Sequence, residues 1–181
     1  FNQPILSGVL PVSLTHLTFG DMFNQPLWKV FFPPRLTHLE VDHGFNFIPG
    51  GLPPTLTHLS VTFYDRFNLP LLPGDLPIGL THLRLHNFKQ PIAPGALPPG
   101  LTHLSLGHDF NQPIAPGVLP ATLTHLEFWG FNQPLDPGVL PVSLTHLTLR
   151  SVFNQPINPG VLPSTLSLLK FGHSFNQPIA P

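Results

Sequence analysis

Apolar and polar residues alternate in short bursts along this chain, and the bursts recur. Leu36-Thr37-His38-Leu39-Glu40-Val41-Asp42 is one of them. A β-strand sends successive side chains to opposite faces, so Leu39 and Val41 share one face while His38, Glu40 and Asp42 share the other. Only the first set suits a core. Leu-Thr-His-Leu begins at Leu14, Leu36, Leu56, Leu80, Leu101, Leu123 and Leu144, and a degenerate copy, Leu166-Ser167-Leu168-Leu169, follows. Successive starts lie 22, 20, 24, 21, 22, 21 and 22 residues apart. That is the period of a solenoid with one short strand per unit, each unit burying its apolar face on its neighbours.

A second mark, Phe-Asn, falls at Phe1, Phe23, Phe45, Phe67, Phe110, Phe131, Phe153 and Phe175, usually followed by Gln-Pro. A third, Pro-Gly-Val-Leu-Pro, runs from Pro116 to Pro120, Pro137 to Pro141 and Pro159 to Pro163. Proline at both ends of the return segment removes helical hydrogen bonds. The return is therefore expected to use turns, polyproline-like stretches or single 3₁₀ turns, with little or no α-helix. A layer that thin should match the strand layer in width, so the array should curve weakly. The Phe column reads as a buried aromatic spine. Asn2, Asn24, Asn46, Asn68, Asn111, Asn132, Asn154 and Asn176 read as a structural ladder that satisfies backbone groups of the turn. Phe88-Lys89 breaks the pattern, so either the turn is deformed there or the amine snorkels to water.

Written as L-x-x-L-x-L followed by F-N, the unit matches the leucine-rich-repeat pattern, a short strand followed by a buried Asn turn. In wording it resembles the FNIP repeat family, leucine-rich-repeat proteins of social amoebae and giant viruses, over the whole chain. The resemblance implies a leucine-rich-repeat solenoid with short parallel β-strands on the concave face. It implies a role in protein interaction and little more. The expected organisation is a single solenoid over residues 1–181, about eight repeats of 20–24 residues, cut from a longer array.

Composition narrows the function classes. Of the 181 residues, 8% are charged and 41% hydrophobic, and the net charge is -1. Seven scattered Lys and Arg make no basic face for a phosphate backbone, so nucleic acid is not expected as a partner. No apolar run approaches the ~18 residues that cross a bilayer, and no membrane partner is expected. The absence of cysteine removes disulfides, thiol catalysis and cysteine-based zinc sites. No nucleophile and base stand in a distinctive context and no glycine loop would cradle phosphate, so no enzymatic activity and no cofactor are expected. The cytoplasm is the expected location, that of the host if the chain is viral.

One histidine occupies the same slot of seven repeats: His16, His38, His58, His82, His103, His125 and His146. Each precedes an inward Leu, so the seven should form a column on the concave face, about one strand spacing apart. Three readings stay open. The first is a His inherited by duplication that stacks or hydrogen bonds along the ladder. The second is metal capture, although a uniform ladder lacks tetrahedral closure. The third is a response to pH, since adjacent protonated rings would repel by up to ~0.9 kcal/mol in water.

Recognition should sit where repeats differ, because the invariant positions build the rod. One outward column runs Thr18, Glu40, Ser60, Arg84, Ser105, Glu127, Thr148, Lys170; the next runs Gly20, Asp42, Thr62, His86, Gly107, Trp129, Arg150, Gly172. Trp129, between Arg150 and Gly107, should expose its indole with room for a ligand group and Arg150 as a cation-π partner, unless it folds over the rim. The insertion Phe63-Tyr64-Asp65-Arg66 should protrude, as a tolerated insertion or as a recognition loop. Asp21, His43, His108 and His173 share that rim. The candidate partner-binding residues are thus Trp129, Arg150, Glu127, Arg84, His86, Glu40, Asp42 and Tyr64. The expected function is a scaffold holding a protein partner on the concave sheet and loop rim. The alternative is a structural module that self-associates through its solenoid ends.

Overall fold

The computed structural model describes residues 2–23, 25–26, 30–42, 51–63 and 68–178. Every repeat contributes one strand: β1 (His16–Phe19), β2 (His38–Val41), β3 (His58–Thr62), β4 (His82–His86), β5 (His103–Leu106), β6 (His125–Phe128), β7 (His146–Leu149) and β8 (Leu168–Phe171). They form one sheet in sequence order. All pairings are parallel, and the register sets histidine on histidine from His16 on His38 to His125 on His146, with Leu168 facing His146 at the end of the column. Among the described residues there is no helix. The architecture is the parallel-strand solenoid that the alternation implies.

The return segments are built from hydrogen-bonded turns. In Ala115-Pro116-Gly117-Val118 the Val118 N–H donates to the Ala115 carbonyl at 3.3 Å, and Gly117 has φ +82°. Proline presets the first central dihedral and glycine supplies the left-handed second, the chemistry of a type II turn. Next, the Leu123 N–H donates to the Pro120 carbonyl at 3.0 Å and closes the turn into the strand segment. After the strand, the turn that brings in the Phe is closed in the following repeat by the Phe153 N–H on the Arg150 carbonyl at 3.3 Å. Three turns per unit bring the chain back beside its own start.

Leu36, Leu56, Leu80, Leu101, Leu123 and Leu144 are fully buried, and so is the second Leu of each Leu-Thr-His-Leu from Leu39 to Leu147. Burial of each such side chain stabilises by about 1.5–3 kcal/mol, an interaction available only when repeats stack. Phe88, Phe110, Phe131 and Phe153 form the buried spine, while Phe175, in the last described repeat, is half-buried. Phe1, Phe45 and Phe67 lie outside the described residues. Phe63 does not protrude with its insertion: it is buried, and its N–H donates to the His86 carbonyl at 2.9 Å. The other three residues of that insertion are outside the described set.

The repeat is a wedge. Histidine ring centroids in adjacent strands lie 3.9 to 4.1 Å apart. Spine rings on the opposite side lie 6.3 Å apart from Phe88 through Phe153. Bulky aromatics hold the return layer open, so the histidine face is the concave one.

Candidate functional site

The concave face begins with the dipeptide Thr-His. Strand alternation turns each imidazole away from the Leu core, and in-register pairing places each ring on the next. Successive planes are tilted by 13° to 16°. The rings from His38 to His146 are half-buried by their neighbours, and His16 is exposed. Each Nδ1 lies 2.9 Å from the Oγ1 of the preceding threonine. From Thr37 to Thr145, the same Oγ1 lies 3.1 to 3.2 Å from the carbonyl oxygen of the equivalent threonine one repeat earlier. That carbonyl also accepts two backbone N–H groups; Thr102, for example, accepts from Thr124 and His125 at 2.9 and 3.0 Å. Thr and His thus tie each repeat to the one before it.

Stacking also sets the charge state. Burial first, then neighbouring imidazoles where they are charged, lowers the pKa of His38, His58, His103 and His125. In mid-column His82 falls to about 4 for the same reasons. Both causes disfavour the cation, so these rings are neutral near pH 7. Among the described residues no three His, Asp or Glu side chains converge on a point that would hold a metal. Parallel stacked rings aim their lone pairs side by side, not at a shared ion.

A groove of about 610 Å³ follows the column from β1 to β8, lined by the histidines and by the variable column from Thr18 to Lys170. Of the proposed binding residues, the structure brings three into one cluster. The Arg150 Nε–H donates to Glu127 Oε1, and Ser105 donates to Glu127 Oε2 at 3.2 Å. The Arg150 guanidinium sits 4.2 Å from the centroid of the Trp129 ring. The space beside Gly107 is not open, because the His108 ring meets the indole at 5.0 Å and 60°. Trp129 is consequently half-buried.

Arg84 and His86 stand apart from this cluster on β4, and Glu40 and Asp42 near β2. Asp42 accepts a hydrogen bond from Thr62 at 3.1 Å. Burial lowers the His86 pKa, helped by Arg84 and opposed by Asp42 and Glu40. Tyr64 and His43 lie outside the described residues.

The asparagine ladder exists but is mostly not buried. Asn111 Oδ1 accepts the Asn132 N–H at 2.8 Å, Asn132 Oδ1 accepts the Asn154 N–H at 2.9 Å, and Asn154 Oδ1 accepts the Asn176 N–H at 2.8 Å. Each side chain thus serves the turn of the next repeat, along the outside of the coil. Asn68 is the buried member, and its Oδ1 accepts the Lys89 N–H at 3.0 Å. Asn2 is exposed and its Oδ1 accepts from Gln25 at 3.1 Å, while Asn24 and Asn46 are not described. Lys89 keeps the turn and turns its amine outward, 3.6 Å from Asp109 Oδ2. The Thr-His network escaped the sequence reading, although a Thr before every His was its visible signal.

Parallel strands in register, an aliphatic interior and turns at each corner define a leucine-rich-repeat solenoid. The chain belongs to the FNIP repeat family, whose pattern matches at residues 1–43, 23–63, 45–88, 67–109, 88–129, 131–174 and 153–181. It is similar to a giant-virus protein of known crystal structure, CroV588, described as a novel circular LRR protein. The two are 47% identical with a TM-score of 0.89, and the match covers 99% of this chain and 27% of the other. This chain therefore spans about a quarter of that protein's length. No curated protein matches the chain. Repeat solenoids of this kind are typically non-enzymatic interaction scaffolds.

Proposed function

We propose that this solenoid holds a protein partner against its concave sheet and the adjoining loop rim. One observation carries the reading: a column that differs between repeats, Thr18 to Lys170, lines a single continuous groove beside the repeated histidines. Glu40, Arg84, Glu127 and Lys170 give that groove a sequence of charges that a uniform rod would not need. Trp129 and Arg150 add the residue types that dominate binding hot spots. Their mutual contact preorganises them, which reduces the ordering cost of association. The circular neighbour supports the same geometry, because a concave face of wedge-shaped repeats would look into such a ring.

The test is affinity capture from lysate followed by mass spectrometry, with three baits compared. The unaltered chain and a control variant, Val142→Ser, at an exposed residue of the turn that enters β7 and outside the groove, should retain the same proteins. A concave-face variant, Arg84→Glu with Trp129→Ala, should lose them. Equal capture by all three would remove the concave face from the account.

A further inference from the structure

The hydrogen bonds behind the histidine column fix where its protons are. A hydroxyl has one hydrogen and two lone pairs, and a carbonyl oxygen only accepts. Thr124 Oγ1 lies 3.1 Å from the Thr102 carbonyl, so its hydrogen must point there; otherwise two lone pairs would face each other. Ser167 makes the same bond. It donates to the Thr145 carbonyl at 3.0 Å although Leu168, not histidine, follows it. With its hydrogen committed, Thr124 Oγ1 accepts from His125 Nδ1 at 2.9 Å. A neutral imidazole that donates through Nδ1 keeps a bare lone pair on Nε2.

The same pair of contacts recurs from His38 to His146. His16 is different, because its Thr15 has no such carbonyl contact among the described residues. Nor does any described group bond an Nε2 of the column, and among the described residues no buried side-chain nitrogen or oxygen lacks a partner, so the Nε2 atoms reach solvent.

We infer that the six imidazoles from His38 to His146 are locked as Nδ1–H tautomers, giving the groove a comb of Nε2 acceptors that fits a partner segment bearing N–H and O–H donors. This deepens the concave-face docking reading and rests on it for the partner. Lysine ammonium groups carry donors and no acceptor, and arginine, amide and hydroxyl groups also supply N–H or O–H. A carboxylate only accepts, so the comb has no proton to offer it. Carboxylates of the partner are left to Arg84 and Lys170 in the adjacent column. Complementarity of this kind sets register and excludes wrong partners more than it adds raw affinity.

The experiment uses the ¹⁵N-labelled chain at about pH 7.5, where the rings are neutral. Long-range ¹H–¹⁵N correlation spectra should show protonated Nδ1 and pyridine-type Nε2 for His38 to His146. Thr124→Val should move His125 toward a tautomer mixture. Protonated Nε2 in the unaltered chain would overturn the comb itself. A lysine hexapeptide should then shift the Nε2 resonances and a glutamate hexapeptide should not. His82→Phe with His103→Phe, which keeps aromatic stacking, should weaken the lysine peptide by about tenfold, the scale of two lost hydrogen bonds. A glutamate-induced shift of the Nε2 resonances, no lysine response, or unchanged lysine affinity in the double variant would each overturn the partner class. The tautomers are read on the isolated chain, so they stand even if concave-face variants leave partner capture unchanged and the docking reading fails.

Discussion

Gly130 passes so close to His108 that a Cβ added to it would fall 1.6 Å from the His108 carbonyl oxygen. From Leu123 to Asn132 the chain takes nine steps, one fewer than in most repeats. The shortened loop presses its backbone onto the rim of the repeat before it. Gly130→Ala therefore requires backbone movement, and the expected loss is about 3 kcal/mol or more by urea denaturation. Gly117→Ala meets open space and suffers only from its φ of +82°, an expected loss of about 1–2 kcal/mol. Equal losses at the two sites would contradict the close approach.

Thr124→Val keeps the side-chain shape but removes the bonds to the Thr102 carbonyl and to His125 Nδ1. The expected cost is about 1–2 kcal/mol, a melting temperature lower by roughly 2–8 °C for a chain of this size. Ser167→Ala should cost less, because no imidazole depends on that hydroxyl. Calorimetry on the two variants makes the comparison.

Phe131 is fully buried, with the Phe128 ring 4.4 Å away and the spine rings of Phe110 and Phe153 on either side. Phe131→Ala opens a cavity in mid-array and should lose about 3–5 kcal/mol. The half-buried Phe175 leaves less packing to lose, so Phe175→Ala should cost clearly less. Chemical denaturation of both variants gives the ranking.

Acid should destabilise the fold. The folded-state pKa values of His38, His58, His82, His103 and His125 lie below the unfolded value of 6.5. Below 6.5 the unfolded chain therefore binds more protons than the folded one. The stabilisation is complete above 6.5 and is lost as pH falls toward about 4, the His82 value. The charged groups on the same face are Glu40, Arg84, Glu127 and Lys170 in the adjacent column. Between pH 7.5 and 5 the melting temperature should drop by roughly 5 °C or more. A flat profile would show that the rings are not coupled.

Much of this was legible because alternation is a local property. Leu39 inward and His38 outward follow from strand geometry alone, and the repeat period forces His38 beside His58. The difference in ring spacing between the two faces was not legible, since it depends on how Phe rings such as Phe131 and Phe153 pack in the return layer, 6.3 Å apart. The environment of Trp129 was missed for a related reason. Strand register names its neighbours as Gly107 and Arg150, but the ring that fills the gap comes from His108, past the strand end. Burial of the asparagines was expected from the repeat pattern; the structure runs their bonds along the stack at the surface, from Asn111 to Asn132 to Asn154.

The seven imidazoles form one outward-facing stack. Titrating each histidine by NMR reads this residue by residue. His82 should protonate last, near pH 4, with His58 and His103 also below the ordinary histidine value. Seven independent curves centred near the unperturbed value of about 6.5 would contradict the stacked column.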